Sequence, residues 1–172
     1  TGMGTDNIDI VMNELDALVN IDLEKREIKA EKKSLQLIRI GTSGSLQKEI
    51  PIDSFLISSH GMGLDGLLHF YKDSETIREK ELENAFLNQI DWYECKPKPY
   101  CVSASPVLFE KIKSDQTFYG ITATASGFYG PQGRVLRLNI QDEALNSKMD
   151  NFKFGDSQIT NLEMETAAIY GL

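Results

Sequence analysis

The sequence predicts a layered α/β domain, with a mixed β-sheet between helices, and three observations carry that reading. Strand-like stretches alternate with stretches of helical periodicity along the chain. The 172 residues are enough for one ordinary domain with its own core. Apolar residues make up 41% and charged residues 26%, the balance of a soluble globular domain and not of a disordered or fibrous chain. No internal repeat or low-complexity tract divides it, so residues 1–172 read as one domain.

The elements follow in order. Thr1-Gly2-Met3-Gly4 reads as a glycine turn from a strand into a helix. Asp6 is the expected N-cap, and Ile8, Val11, Met12, Leu15, Leu18 and Val19 then recur at helical spacing. A strand is expected ahead of Thr1. Residues 22–33, rich in Glu and Lys, are expected on the surface. Leu35 to Ile40 reads as a strand ending at Gly41. Ser54 to Ser59 reads as another, after an Ile50-Pro51 turn, and the glycines of His60-Gly61-Met62-Gly63 are expected to break it. Asp65-Gly66 is a turn, with Leu67, Leu68 and Phe70 in the core. A helix is expected from Ser74 to Ile90, carrying Leu82, Ala85, Phe86, Gln89 and Ile90 on one side. Trp92 and Tyr93 precede a Lys96-Pro97-Lys98-Pro99 loop and suit either a surface or an interface. Tyr100 to Ser103 and Phe118 to Ala123 read as strands, with Pro106 in the first turn of a short helix between them. Met164 to Tyr170 begins a last helix that reaches Leu172 in mid-element. The domain is therefore expected to be partial, incomplete at both ends.

Acidic residues outnumber basic ones, 26 against 18, for a net charge of −8. That field repels a polyanion and argues against a nucleic-acid partner, while a small anion can still bind where arginines converge. No apolar run approaches the ~20 residues of a membrane span, and no signal-peptide pattern opens the sequence. Cys95 and Cys101 make neither a disulfide framework nor a zinc cage, and read as unpaired thiols of a cytoplasmic protein. His60 and His69 have no partner at metal-ligand spacing, so neither a metal nor a cofactor is expected.

Three short stretches can carry chemistry. In Ile38-Arg39-Ile40-Gly41-Thr42-Ser43-Gly44 a strand delivers a guanidinium to a turn of small residues, whose N–H and hydroxyl groups can approach an anion. A strand-ending turn with a surface arginine fits as well. In Phe128-Tyr129-Gly130-Pro131-Gln132-Gly133-Arg134 an amide stands two residues before a guanidinium. The pair suits the edge of a flat heterocycle with two carbonyls, and Phe128 can stack on its face. A polar loop with Phe128 in the core is the plain alternative. In Asn161-Leu162-Glu163-Met164-Glu165-Thr166 two carboxylates flank a methionine, ahead of a buried-looking helix. They can accept from sugar hydroxyls, or can simply answer a helix N-terminus.

In this order the three stretches resemble the nucleoside phosphorylase superfamily, and within it the uridine phosphorylases. The likeness spans nearly the whole chain, with Thr1-Gly2-Met3-Gly4 similar to the family's glycine turn. Purine nucleoside phosphorylases of the superfamily lack the Gln132 and Arg134 pair. The resemblance implies a three-layer fold with a central mixed sheet. It implies reversible phosphorolysis of uridine to uracil and ribose 1-phosphate, with Arg39, Thr42, Gln132, Arg134 and Glu165 as the catalytic set. Arg39, Gly41 and Thr42 would bind phosphate. Thr42, Glu163, Met164 and Glu165 would hold the ribose. Ser43, Gly44, Phe128, Gln132 and Arg134 would form the base site. The family is oligomeric, as a dimer or a ring of dimers. Its first phosphate loop, a second phosphate arginine from a neighbouring subunit and a ribose-contacting histidine all fall ahead of Thr1, so these 172 residues alone are expected to be inactive. The competing readings are a purine nucleoside phosphorylase, a nucleosidase that uses water, and a non-catalytic nucleoside-binding module.

Overall fold

The computed structural model describes residues 2–172; Thr1, the first residue of the predicted glycine turn, lies outside the described residues. Thr117–Thr124 and Phe55–Gly63, rich in β-branched and aromatic residues near their starts, become the two central strands. In chain order the elements are α1 (Thr5–Asn20), β1 (Ile21–Asp22), β2 (Glu27–Ile28), β3 (Gly44–Ser45), β4 (Phe55–Gly63), α2 (Lys80–Ile90), β5 (Tyr100–Ser103), α3 (Pro106–Ile112), β6 (Thr117–Thr124), α4 (Leu145–Asp150), β7 (Lys153–Phe154), β8 (Ser157–Glu163) and α5 (Thr166–Gly171). The main sheet runs β3-β8-β6-β4-β5, and β7 pairs with β8. Strands β4, β6 and β8 are parallel; β5 runs antiparallel on one edge and β3 on the other. The sheet is mixed and helices flank both faces, the three-layer arrangement expected from the alternation.

Two clusters fill the layers. Met62, Ile121, Ala123, Ile159 and Leu162 of the sheet pack with Leu82, Phe86 and Ile90 of α2 and Met149 of α4. On the other face Tyr100 and Val102 pack with Leu68 and with Ala167 of α5. Burial of one such large side chain stabilises the fold by about 1.5–3 kcal/mol. No helix among the described residues is long and apolar enough to cross a membrane.

Several expectations are corrected. Gly4, at φ 94°, caps α1, and Asp6 lies inside the first turn without a capping bond. Residues 34–43 form no strand, because among the described residues no backbone partner faces them; Ile40 is 93% exposed. A strand needs a neighbour for its N–H and C=O groups. Conversely, β4 continues through Gly61 and Gly63. A Cβ on Gly61 would stand 2.6 Å from the Ala167 backbone, and one on Gly63 2.2 Å from the Tyr100 ring, so these glycines admit close neighbours and end nothing. The predicted helix from Ser74 is a 3₁₀ turn (Ser74–Ile77) followed by α2. Between them Arg78 is extended and bridges to Val102. Phe70 is exposed, while Leu68 is buried. The strand β8 was not expected; its polar residues are buried in hydrogen bonds, described next.

Candidate active site

Parallel pairing puts three strand ends in one row: Gly63 opposite Thr124, and Thr124 opposite Glu163. The carboxyl ends of parallel strands are where open α/β sheets bind ligands. The chain leaves β6 into the loop carrying Phe128, Gln132 and Arg134, and leaves β8 into Met164, Glu165 and α5.

Glu163 ends β8 with its carboxylate buried at 3% side-chain exposure. Its Oε1 accepts from Thr124 Oγ1 at 2.7 Å and Thr166 N at 3.1 Å. Its Oε2 accepts from Glu165 N and Thr166 N, both at 2.9 Å, and from Arg39 Nη1 at 3.2 Å. Thr124 Oγ1 in turn accepts from Ala167 N at 2.9 Å. The first N–H groups of α5 are thus capped by side chains of β8 and β6, as buried donors require.

Glu165 is less committed. Its Oε1 accepts from Gly4 N at 2.8 Å, and its Oε2 from Arg39 Nη2 at 2.5 Å. A Cβ on Gly4 would lie 3.9 Å from Met164 Cε, which places the glycine turn, Met164 and Glu165 together. Arg39, one-third exposed, therefore sits between two carboxylates from the far end of the chain. Gly41 lies against its guanidinium, where a Cβ would come within 2.9 Å.

The next residues continue the contact chain. Ser43 Oγ accepts from Asn161 Nδ2 at 2.8 Å. Asn161 Oδ1 accepts from Thr122 Oγ1 at 2.7 Å, and Thr122 Oγ1 meets Ser58 Oγ at 2.5 Å. This polar row crosses β8, β6 and β4 and ties the turn to the sheet. A Cβ on Gly44 would lie 3.8 Å from Arg134 Nη2. Thr42 is exposed.

In the 128–134 loop, Gly133 takes φ 72°, a left-handed turn suited to glycine. The Arg134 guanidinium stacks 4.1 Å from the Phe128 ring, donates to Phe128 O at 2.9 Å and donates to Gln132 Oε1. Gln132 is buried; Phe128 is half exposed and so is not the core residue of the plain alternative.

Two cavities adjoin these groups. A groove of about 1120 Å³ is lined by Arg39, Thr42, Ser43, Ser58, Glu163 and Thr166 among others. One of about 690 Å³ is lined by Arg134, Tyr129, Trp92 and Leu136. The Arg39–Gly44 turn and Glu163 share the first cavity and Arg134 lines the second, with no lining residue in common; between them Gly44 faces Arg134. Thr124 was missed, and Asn161 and Gly4 lay in the stretches singled out without a role of their own. The only signal for Thr124 and Thr122 was a pair of threonines at strand spacing late in β6.

The profile of the phosphorylase superfamily matches residues 1–172. The crystal structure of a Trypanosoma brucei nucleoside phosphorylase, reported to show uridine phosphorylase activity, superposes with a TM-score of 0.82 at 27% identity, over 99% of this chain and 63% of that one. A structure from work on two diverse uridine phosphorylases of the oomycete Phytophthora capsici gives a TM-score of 0.54 at 24% identity, over 99% of this chain and 56% of that one; the likeness there is one of fold. The chain thus spans less than two thirds of either structure. No curated protein matches it.

Proposed function

The chain belongs to the phosphorylase superfamily, and from that membership we propose that it cleaves uridine with inorganic phosphate, giving uracil and ribose 1-phosphate. One observation carries the proposal. The Arg39–Gly44 turn bonds to Glu163 and Glu165, 124 and 126 residues away, and ends at Gly44, where a Cβ would lie 3.8 Å from Arg134 Nη2.

In the reaction the C1′–N1 bond breaks and a C1′–O bond to phosphate forms. The bonding pair leaves with uracil, which then takes a proton. Phe128 stacks on the base, with Ser43 and Gly44 lining its pocket. Gln132 and Arg134 donate to the uracil oxygens as negative charge collects there, and a donor placed for that charge lowers the barrier. Arg134 holds Phe128 O and Gln132 Oε1 through Nη1, so among the described residues Nη2 and Nε keep their donors for the base. Met164 and Glu165 hold the ribose, Glu165 through its hydroxyls, with Thr42 at its edge. Arg39, Gly41 and Thr42 hold phosphate beneath C1′.

Arg39 faces two carboxylates, so this cluster carries a net negative charge before phosphate arrives. A phosphate dianion therefore needs further cations. A second arginine from a neighbouring subunit would supply one, which is why a homo-oligomer, in cytoplasmic pyrimidine salvage, belongs to this reading. The same contact favours one rival, a nucleosidase in which Arg39 only organises the glutamates and water replaces phosphate. The test is uracil release by absorbance at saturating uridine while phosphate is varied. Saturable dependence on phosphate is expected; equal rates in phosphate-free buffer would establish the rival.

A further inference from the structure

We infer that Glu163 is a positioning residue, which pins Arg39 and the start of α5 so that Glu165 and the other arm of Arg39 are free to exchange onto substrates. The inference rests on the phosphorolysis reading and assigns Glu163 a role other than a ribose contact.

The two carboxylates differ in how they are engaged. Glu163 accepts five hydrogen bonds from four protein groups: Thr124 Oγ1, Glu165 N, Thr166 N twice, and Arg39 Nη1. Two carboxylate oxygens offer about four lone-pair sites. Those sites are filled, and no place remains for a sugar hydroxyl. Among the described residues Glu165 accepts only from Gly4 N and Arg39 Nη2. Its Oε2 is released as soon as Arg39 Nη2 turns to an anion.

Arg39 gives the pin its importance. It stands on residues 34–43, which no strand among the described residues holds in place. Its side-chain anchors are Glu163 and Glu165. If Nη2 leaves Glu165 for phosphate, the bond from Nη1 to Glu163 is what keeps the guanidinium where the phosphate needs it. Glu163 is itself held on both sides, by Thr124 on β6 and by the N–H groups entering α5. One buried carboxylate therefore sets the place of a phosphate ligand and of the backbone that carries the ribose carboxylate.

The test compares E163Q with T124V in the intact enzyme. Removing a negative charge beside an anion site would by itself lower the KM for phosphate. A rise is therefore the mark of lost position. We expect E163Q to raise the phosphate KM about fivefold and to lower kcat about tenfold, with the uridine KM within about twofold, the scale of a small misplacement of reacting groups. T124V removes one support of Glu163 while leaving the bonds of Arg39 in place; it should lower the melting temperature and raise the phosphate KM in the same direction as E163Q, by a smaller factor of about two to three. Calorimetric titration with inorganic phosphate alone reads the same placement without turnover. A lower phosphate KM in E163Q, parent kinetics with only a lower melting temperature, or a rise confined to the uridine KM would each overturn the inference. Phosphate-independent cleavage by the parent would defeat the reaction reading alone. Glu163 would then be decided by kcat: a fall at constant nucleoside KM supports positioning, and a higher nucleoside KM at constant kcat refutes it.

Discussion

Two arginine–glutamate clusters stand near opposite edges of the sheet, and they are built differently. Beside β5, Arg78 grips Glu83 through Nε at 2.7 Å and Nη2 at 2.6 Å; both side chains are about 5% exposed, and Glu83 also accepts from Cys101 N at 2.9 Å. The partners are five residues apart, and the bond joins α2 to the turn before it. At the end of β8, Arg39 splits its two arms between two carboxylates, is one-third exposed and lines an open groove. Arg78 Nη1 also reaches exposed Glu75 Oε1 at 3.6 Å, so each end of the buried guanidinium already has a carboxylate and none is left to offer a ligand. A divided, half-wet one can trade a partner. The difference separates an ion pair that holds the fold from one that can do chemistry.

The largest expected effect would break that distinction if it failed. Arg78→Ala leaves a buried Glu83 carboxylate without its cation and should cost about 3–5 kcal/mol of stability. Whatever folds should keep near-parent kinetics. Urea unfolding measures it, and a loss under about 1 kcal/mol would put this pair among weak surface bridges.

A third arginine sharpens the contrast. Among the described residues Arg134 is hydrogen-bonded only within its own loop, to Phe128 and Gln132. Arg134→Ala should cost about 2–4 kcal/mol of transition-state stabilisation, the scale of a lost oxyanion donor, with little change in unfolding. Near-parent kcat/KM on uridine would remove Arg134 from the base site.

Arg39→Ala should raise the KM for phosphate about tenfold and cost only about 1 kcal/mol of stability, since water reaches the exposed side of the cluster. Uridine KM should change much less. Arg39→Lys keeps the charge but not the fork, and should recover part of the loss. Full recovery by lysine would mean that charge alone matters there.

The smallest effect lies away from both clusters. Burial holds the His60 imidazole below its ordinary value of 6.5, against a weaker upward pull from Glu79. Protonation therefore favours the unfolded chain. The stability contributed by the neutral ring is complete above pH 6.5 and declines as pH falls toward the folded value. His60→Asn should flatten the stability profile below pH 6.5; an unchanged slope would assign that slope to other groups.

The contrast between clusters also explains what could be read from the residues alone. Tyr100–Ser103, flanked by prolines, was legible to the residue. The α2 stripe of Leu82, Phe86 and Ile90 was legible because its period faces one core. Strand β8 was not, because Gln158, Thr160 and Asn161 look like loop residues until the neighbouring strands satisfy them. Residues 35–40 looked like a strand by composition, but pairing needs a neighbour that composition cannot supply. In the site, the three motifs were visible singly. The bonds joining Arg39 to Glu163 and Glu165 cross more than 120 residues and leave no local trace. Thr124, an ordinary strand threonine by type, becomes the support of Glu163 only through register.

The bond from Gly4 N to Glu165 Oε1 spans 161 residues. On a ribosome adding about 5–20 residues per second, the carboxylate follows its amide by roughly 8–30 s. Chain closure over that length is entropically costly and cannot lead. The sheet is therefore expected to condense before this closure forms. In that order a ligand of the cleft acts on the last step of folding and not on its nucleus; hydrogen-exchange protection at Gly4 that appears no later than at Ile121 would overturn it.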